Sequence, residues 1–210
     1  ALAGGTLSLG ALTGCASVNL ERATLRKEPS QAVARELPTT LKRLSYQDGG
    51  PVRDGGTGES GFLLLEAPLD ALAARLWLAE KAEKSLDVQY YIFHGDKTGK
   101  LVAHALLAAA DRGVRVRVLL DDIYTAEHEA SLLALDSHPN VEIRLYNAFQ
   151  YRGGAAFTRA YEFFARDGKP NRRMHNKLFA ADNQMAITGG RNIGDEYFQA
   201  HDELSFVDLD

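Results

Sequence analysis

The sequence predicts an α/β fold with a mixed, mostly parallel sheet, and three features support that prediction. Strand-like runs of β-branched, aromatic or alternating residues occur at 85–93, 114–122 and 140–147. Apolar residues at helical spacing fill 96–113 and 126–136 between those runs. The separations between all five segments are short. Strands that alternate with helices in this way form βαβ units, whose strands lie parallel in one sheet.

The segments on either side of this core extend the prediction. Residues 68–84 have leucines at helical spacing, which predicts a helix before the first strand. Farther along the chain, residues 173–181 and 184–190 alternate and predict two more strands. Asp182 and Asn183 lie between them and predict a tight turn, because aspartate and asparagine tolerate the backbone conformations that turns require.

Two further segments are less regular. Residues 148–170 combine aromatic and basic side chains, and we interpret them as an insertion that is either a membrane-interface contact or an ordinary rim loop. Residues 203–210 have the character of another strand, so the chain ends inside a predicted element. We therefore expect the sequence to be the first part of a longer enzyme, incomplete at its C-terminus.

Composition excludes several classes of protein. The 210 residues are 45% hydrophobic and 25% charged, as in a globular protein with one sizeable core. The formal net charge of −4 disfavours a nucleic-acid partner, because such proteins usually carry a basic surface. The single cysteine excludes an internal disulfide and a CxxC metal site. Phosphate-loop, dinucleotide and HExxH motifs are absent, so we expect no cofactor and no metal.

The N-terminal part divides into two predicted segments ahead of the domain at 62–210. Residues 1–14 are small, apolar and uncharged, and LTGC at 12–15 resembles the lipobox of bacterial lipoproteins. We therefore interpret 1–14 as a partial signal peptide and Cys15 as the lipidated residue, which would anchor the protein on the periplasmic side of a bacterial membrane. The alternative is a cysteine that occurs there by chance. Residues 15–61 are polar and rich in glycine toward their end, which predicts a linker.

The strongest chemical signal lies near the C-terminus. Alternation places His175 and Lys177 on one face of a strand, with Asp182 at the turn that ends it and GGRN at 189–192 beyond. A phosphodiester centre requires a nucleophile, a cation for the non-bridging oxygens and hydrogen-bond donors around them. An imidazole that attacks phosphorus splits one difficult displacement into two easier steps. The lysine can neutralise one oxygen, and Asn192 can donate to another.

These residues resemble a known family. HNKLFAAD at 175–182, with GGRN after it, matches the HxKxxxxD motif of the phospholipase D superfamily and its continuation. Residues 86–122 resemble the first βαβ unit of bacterial cardiolipin synthases, and residues 172–198 resemble their first catalytic motif. The resemblance covers roughly 62–210. It implies a phospholipase D-like αβα sandwich, of which this sequence holds one of two expected repeats.

The resemblance also implies a role for each matching residue. His175 is the nucleophile or its partner acid–base, and Lys177 and Asn192 hold phosphoryl oxygens. Asp182 is a structural, hydrogen-bonding member of the motif. Glu203 falls at the offset where family members place the acid that hydrogen-bonds the histidine. The mechanism requires no metal.

Other polar residues have weaker predicted roles. Arg172 and Arg173 flank the motif and could contact anionic lipid or phosphate, or form a solvated strand edge. Gly190 is a candidate for substrate binding, because a glycine lets the backbone approach a ligand closely. Asp121 and Asp122 end a buried strand, and we interpret them as caps of the following helix rather than as metal ligands.

Family members build each active site from two HxK motifs, in one chain or across a homodimer, and this sequence has one. We expect the second from the rest of a longer chain, or from a second copy. The expected function is a phosphatidyl transfer that makes cardiolipin from phosphatidylglycerol, alone or together with another phospholipid, through a phosphohistidine. The expected partners are phospholipids and a membrane. The alternatives are a phospholipase D-type phosphodiesterase or nuclease, and a non-catalytic phospholipid-binding lipoprotein.

Overall fold

The computed structural model describes residues 30–34, 37–46, 61–149 and 171–210. Cys15, the signal peptide and most of the insertion predicted at 148–170 lie outside these residues. The lipid anchor and the membrane contact of the insertion therefore stay predictions.

A five-stranded sheet forms the centre of the fold. Its strands are β1 (Ser85–Tyr90), β2 (Arg115–Asp121), β3 (Val141–Tyr146), β4 (Lys177–Ala181) and β5 (Met185–Thr188). The spatial order is β3-β2-β1-β4-β5. β1, β2 and β3 are parallel, β4 runs antiparallel to β1, and β5 runs antiparallel to β4. The predicted α/β fold with a mixed sheet is confirmed.

Helices occupy the connections that the sequence predicts. They are α1 (Thr40–Tyr46), α2 (Pro68–Lys81), α3 (Lys97–Asp111) and α4 (Glu129–Asp136), with short 3-10 turns at Ala126–His128 and Asp195–Tyr197. Proline begins α2, where its missing N–H has no partner to lose. The Asp96 carboxylate caps α3 by accepting from the Gly99 amide at 2.9 Å. Gly113 follows α3 with a φ of 93°, a conformation that favours glycine.

The hydrophobic core lies on one face of the sheet. Val88, Val118, Phe179 and Ile187 come from four strands, are in register and are buried. Because side chains alternate along a strand, every second residue adds to this face. Helices α2 and α3 pack on it and on each other, and α4 packs on β3 at its edge. Burial of this apolar surface is the main term that stabilises the fold.

The opposite face of the sheet is polar. Asp87 on β1 accepts a hydrogen bond from the Arg117 guanidinium on β2, and both side chains are partly exposed. Arg117 also donates to the carbonyl of Ser30 at 3.0 Å. The segment 30–34 therefore contacts this face from outside the sheet.

A buried cluster of charges joins the C-terminal stretch to the rest of the fold. The Asp210 carboxylate lies 3.0 Å from the Arg75 guanidinium and 3.2 Å from that of Arg191. Both arginines are only 1% exposed, and Arg75 also donates to the Tyr90 hydroxyl at 2.9 Å. A charge that is taken out of water needs such partners. The cluster fixes the GGRN segment against α2 and the end of β1.

Three predictions about individual elements differ from the structure. The segment predicted as a polar linker contains helix α1, whose Leu41 is fully buried in the core. The strand predicted at 173–181 begins only at Lys177, because the amide of Met174 donates to the Asp121 side chain rather than to a strand. Residues 203–210 form no regular strand, although the amide of Gly190 donates to the Leu209 carbonyl at 2.8 Å.

Candidate active site

The candidate site lies at the edge of the sheet where parallel strands end. Tyr90, the last residue of β1, pairs with Lys177, the first residue of β4. Beyond this pair, the Tyr91 amide donates to the Asn176 carbonyl at 3.1 Å, so the two chains stay together past the strands. His175 and Tyr91 then meet on the same side. Functional groups of α/β proteins commonly gather at this edge of a sheet.

Lys177 is the central cation of the site. Its side chain is only 7% exposed, and its ammonium lies 3.0 Å from Nδ1 and 3.3 Å from Nε2 of His175. Burial lowers the pKa of Lys177, because removal from water disfavours the charged form, and the nearby Asp208 carboxylate opposes that shift. The ammonium also lies 5.5 Å from the centre of the Tyr91 ring, within range of a cation–π contact.

His175 is exposed, although Met174 and Lys177 on either side of the exposed pair His175 and Asn176 are buried. Its ring packs on Tyr91 at 4.6 Å between centres and at a tilt of 51°. A nitrogen that accepts a hydrogen bond from the Lys177 ammonium must carry a free lone pair. The arrangement therefore presents an oriented, accessible imidazole beside a cation, which is what attack on an anionic phosphodiester requires.

Asp182 lies away from this surface and is fully buried. One of its oxygens accepts from the amides of Lys84 and Ser85 at 2.7 and 2.9 Å, and the other accepts from the Glu83 amide at 3.0 Å. Asp182 and Asn183 have φ values of 54° and 55°, as a type I′ turn requires. The carboxylate thus holds the β4–β5 turn against the start of β1 and does not reach the reacting groups.

Asn192 is buried and bonded within the protein. Its Oδ1 accepts from the Ile92 amide at 3.1 Å, and its Nδ2 donates to the Tyr197 hydroxyl at 2.9 Å. One N–H of the side-chain amide remains for another acceptor. The structure therefore gives Asn192 a role in fixing the segment beside the end of β1, in addition to the phosphate contact that the resemblance implies.

Glu203 does not lie where the resemblance implies, and another acidic residue lies nearer the site. Glu203 is exposed, and in the part of the chain that the structure describes it makes no contact with His175. Asp208 instead lies against Gly190, where its charge acts on the pKa of Lys177. Sequence reasoning missed Asp208. The available signal was the alternation of acidic and apolar residues in FVDLD at 206–210.

The predicted substrate-binding residues Arg172, Arg173 and Gly190 have three different environments in the structure. The Arg173 guanidinium is paired with the Asp121 carboxylate at 3.0 Å and lies over the Phe149 ring, so it holds β2 to the segment before β4. Arg172 is exposed beside the site. A Cβ at Gly190 would overlap the Asp208 carboxylate. The space that the glycine leaves open is therefore occupied by the Asp208 side chain rather than left for a substrate.

The loop after β1 is tied to the segment after GGRN by two carboxylates. Asp96 accepts from the Asp195 amide, and Asp195 accepts from the Thr98 amide, both at 2.7 Å. Burial would raise the pKa of Asp195, but the hydrogen bonds at the start of α3 outweigh it and leave the pKa lowered. Two segments that are far apart in the chain are thereby held together at the rim of the site.

Asp121 and Asp122 are not caps of the following helix, as the sequence suggested. Asp121 accepts from the Met174 amide at 2.8 Å and from Arg173, and Asp122 accepts from the Phe149 amide at 2.7 Å. Within the described ranges, no three histidine, cysteine or acidic side chains lie close enough to hold a metal ion. The same ranges contain no helix that is long and apolar enough to cross a bilayer.

Comparison with known proteins agrees with this geometry. The family described as "Cardiolipin synthase, PLD-like domain" matches residues 77–210, which is more than half of the chain. The chain belongs to this family. The residues that match this phospholipase D-like family include the whole candidate site and all five strands.

Individual relatives match the phospholipase D-like chain over part of their length. Cardiolipin synthase C of Escherichia coli (strain K12) is 52% identical over 153 residues, which are 73% of this chain and 32% of that protein. Cardiolipin synthase A of Pseudomonas putida (strain GB-1) is 32% identical over 185 residues, which are 88% of this chain and 34% of that protein. The chain thus spans about a third of the length of these relatives.

A solved structure supports the fold. NucT from Helicobacter pylori is similar over 70% of this chain and 80% of that chain, with a TM-score of 0.50 and 18% sequence identity. At that identity the likeness concerns the fold alone. It agrees with a phospholipase D-like α/β architecture.

Proposed function

We propose that this phospholipase D-like chain supplies one half of a site that makes cardiolipin from phosphatidylglycerol. The observation that carries the proposal is the contact between the Lys177 ammonium and the exposed ring of His175. The ammonium can neutralise a phosphoryl oxygen while the adjacent imidazole attacks phosphorus. Two of the relatives are named cardiolipin synthases, which supports this substrate class.

The reaction proceeds in two displacements. A nitrogen of His175 bonds to the phosphorus of one phosphatidylglycerol, and the bond from phosphorus to the terminal glycerol oxygen breaks. That glycerol leaves with a proton from a second histidine. A hydroxyl of a second phosphatidylglycerol then gives its proton back to the second histidine and attacks the phosphohistidine. The N–P bond breaks, and the products are cardiolipin and free glycerol.

The second histidine comes from a second HxK motif. The sequence has one such motif, and its His175 lies on an open surface that a partner motif could face. Either another part of a longer chain or a second copy of this chain would supply it. The phosphate would then be bound between two lysine–histidine pairs.

Membrane attachment is a separate part of the proposal. A lipid on Cys15 would hold the site near phospholipid substrate, on the periplasmic side. Replacement Cys15→Ser should release the protein from the membrane fraction. Retention of the variant in that fraction would contradict the anchor without affecting the chemistry.

Product analysis tests the function. The full-length protein is incubated with phosphatidylglycerol vesicles, the reaction is stopped with base, and lipids and peptides are analysed by mass spectrometry. We expect cardiolipin, glycerol and a phosphatidyl adduct on the peptide that contains His175. Phosphatidic acid without cardiolipin would favour the hydrolase, and no product would favour the phospholipid-binding scaffold.

Two histidine variants make the test specific. His175→Ala should remove both the product and the adduct, because the nucleophile is gone. His104→Ala is the matched control, since His104 is exposed on α3, away from Lys177, and should retain activity. Cardiolipin synthesis that survives in His175→Ala would overturn the site assignment.

A further inference from the structure

An apolar groove lies between α3 and α4, close to the candidate site. It has a volume of about 300 Å³, and its floor is made by core residues of β2 and β3, including Val118, Leu120 and Ile143. Ala103 and Leu106 of α3 form one wall, and Ser131, Leu132 and Leu135 of α4 form the other. This volume is at the lower end of the range typical of small-molecule sites.

The groove exists because α4 does not pack tightly on the sheet. No residue of α4 is buried, although Leu132 and Leu135 face the core and are half-buried. Protein interiors are usually close-packed, and unfilled space beside leucines reduces stability. A groove of this size under an apolar helix therefore fits an apolar ligand that fills it.

The mouth of the groove is polar, and one of its side chains is a lysine. It is lined by His94, Lys100 and His128, and Gly95 lies between the two histidines. A Cβ at Gly95 would lie 2.6 Å from Nδ1 of His128. The absence of a side chain at Gly95 therefore leaves room for the His128 ring at the mouth. An apolar interior whose entrance holds Lys100 and two imidazoles matches an anionic amphiphile, whose tail is buried and whose ester and phosphate oxygens stay at the entrance.

A row of rings joins the mouth to the candidate nucleophile. His94, whose Nε2 lies 3.3 Å from a Glu196 oxygen, contacts Tyr124 at 5.7 Å between ring centres. Tyr124 contacts Tyr91 at 6.4 Å, and Tyr91 packs on His175 at 4.6 Å. A chain of ring contacts thus links His94 at the groove with His175 at the candidate site.

We propose that this groove binds one acyl chain of the phospholipid that donates its phosphatidyl group to His175. The inference rests on the proposed function, because the acyl chains remain attached to phosphorus in the phosphohistidine. The donor is therefore the lipid whose chain must lie beside His175 throughout the reaction. The groove would orient the phosphatidyl group and keep it bound between the two displacements.

Chain-length dependence of binding tests the groove. The probes are glycerophosphoglycerol, dibutanoyl-phosphatidylglycerol and dihexanoyl-phosphatidylglycerol, all used as monomers and measured by calorimetry. Burial of one methylene contributes enough for about a fourfold change in affinity. The six-carbon probe should therefore bind about fifteenfold more tightly than the four-carbon probe, if one chain enters the groove.

Three tryptophan variants distinguish the groove from general hydrophobic binding. Ser131→Trp on the rim and Ala103→Trp on the wall fill the groove, and each should reduce the chain-length ratio to below twofold. Ala130→Trp adds the same ring to an exposed neighbour on α4 that does not line the groove, and should keep the wild-type ratio. Circular dichroism and thermal unfolding check that each variant is folded.

The outcomes separate this inference from the proposed function. Binding of glycerophosphoglycerol reports on the phosphate site, and His175→Ala should weaken it without changing the chain-length ratio. If Ser131→Trp and Ala103→Trp both keep the wild-type ratio, the groove is not the acyl site. If glycerophosphoglycerol binds equally well to His175→Ala, the phosphate site is wrong, while a ratio lost in the tryptophan variants still supports the groove.

Discussion

The Lys177 ammonium lies 3.0 Å from Nδ1 of His175, although the lysine is buried and the histidine is exposed. The pair results from a strand that begins at Lys177 and from a ring, that of Tyr91, against which both side chains pack. The protein maintains a desolvated cation next to an accessible imidazole. Burial of a charged group reduces stability, and such groups cluster at functional sites.

Replacement Lys177→Met should separate function from stability. Glycerophosphoglycerol should bind at least tenfold more weakly, because a charge-assisted hydrogen bond to phosphate is lost. The free energy of unfolding at neutral pH should not fall, because burial disfavours the ammonium and methionine fills a similar volume. Calorimetry and urea unfolding measure the two effects. A variant that is clearly less stable but binds normally would contradict this role.

The lowered pKa of Lys177 also predicts a pH dependence. The folded protein releases this proton at a lower pH than the unfolded chain, so the unfolded state binds more protons between the two pKa values. Stability from this group should therefore rise with pH through that window, while phosphate binding is lost. Unfolding curves of wild type and Lys177→Met at successive pH values should converge as the pH rises. Parallel curves would show that the lysine has its ordinary pKa.

Asp182 should dominate the stability of the β4–β5 turn. Asp182→Ala leaves the amides of Glu83, Lys84 and Ser85 without their acceptor and should lower the free energy of unfolding by about 3–5 kcal/mol. Asp182→Gly loses the same bonds but tolerates the positive φ, so it should be about 1 kcal/mol less destabilised. Urea unfolding measures both.

An exposed acid provides the control for the turn. Asp202 is exposed, and Asp202→Ala should change the free energy of unfolding by less than about 0.5 kcal/mol. An effect of Asp182→Ala as small as that of Asp202→Ala would show that the three amides find other partners.

Asn192 should act as a structural link as well as a hydrogen-bond donor to phosphate. Asn192→Ala removes the acceptor of the Ile92 amide and the donor to Tyr197, with an expected loss of about 2–3 kcal/mol. Tyr197→Phe removes only the second bond and should cost about 1 kcal/mol. Faster hydrogen exchange at the Ile92 amide in Asn192→Ala alone would support the link. Unchanged exchange would oppose it.

Asp195 should make the rim of the site sensitive to acid. Its pKa is lowered in the folded protein, so the stability that it contributes is present above the unfolded pKa and is lost as the pH falls through the folded one. Asp195→Asn should therefore be less stable than wild type at neutral pH, and the difference should shrink in acid. Thermal unfolding from pH 7 down to pH 3 measures it. A difference that stays constant with pH would exclude the carboxylate as its source.

Much of the fold could be predicted because it depends on local periodicity. Alternation and helical spacing predicted the five strands and three of the four helices, with boundaries that differ by a few residues. Alternation also placed Lys177 and Phe179 on one face, and both are buried there. The turn at Asp182 and Asn183 followed from residue type, since few other residues accept a positive φ. Helix α1 was missed because its polar, glycine-rich surroundings concealed one buried leucine.

The sequence by itself determined the order of strands and helices along the chain, the face of each strand, and the residue types of the candidate site at 175–192. Only the tertiary structure decided which of those residues act together. It paired Arg173 with Asp121, gave Asn192 two partners inside the protein, placed Asp208 where its charge acts on Lys177, and left Glu203 exposed. The physical reason is the separation along the chain between the residues that interact. A repeat of two or of 3.6 residues reports which side of an element is buried, whereas charge pairing and hydrogen bonding depend on segments far apart in the chain.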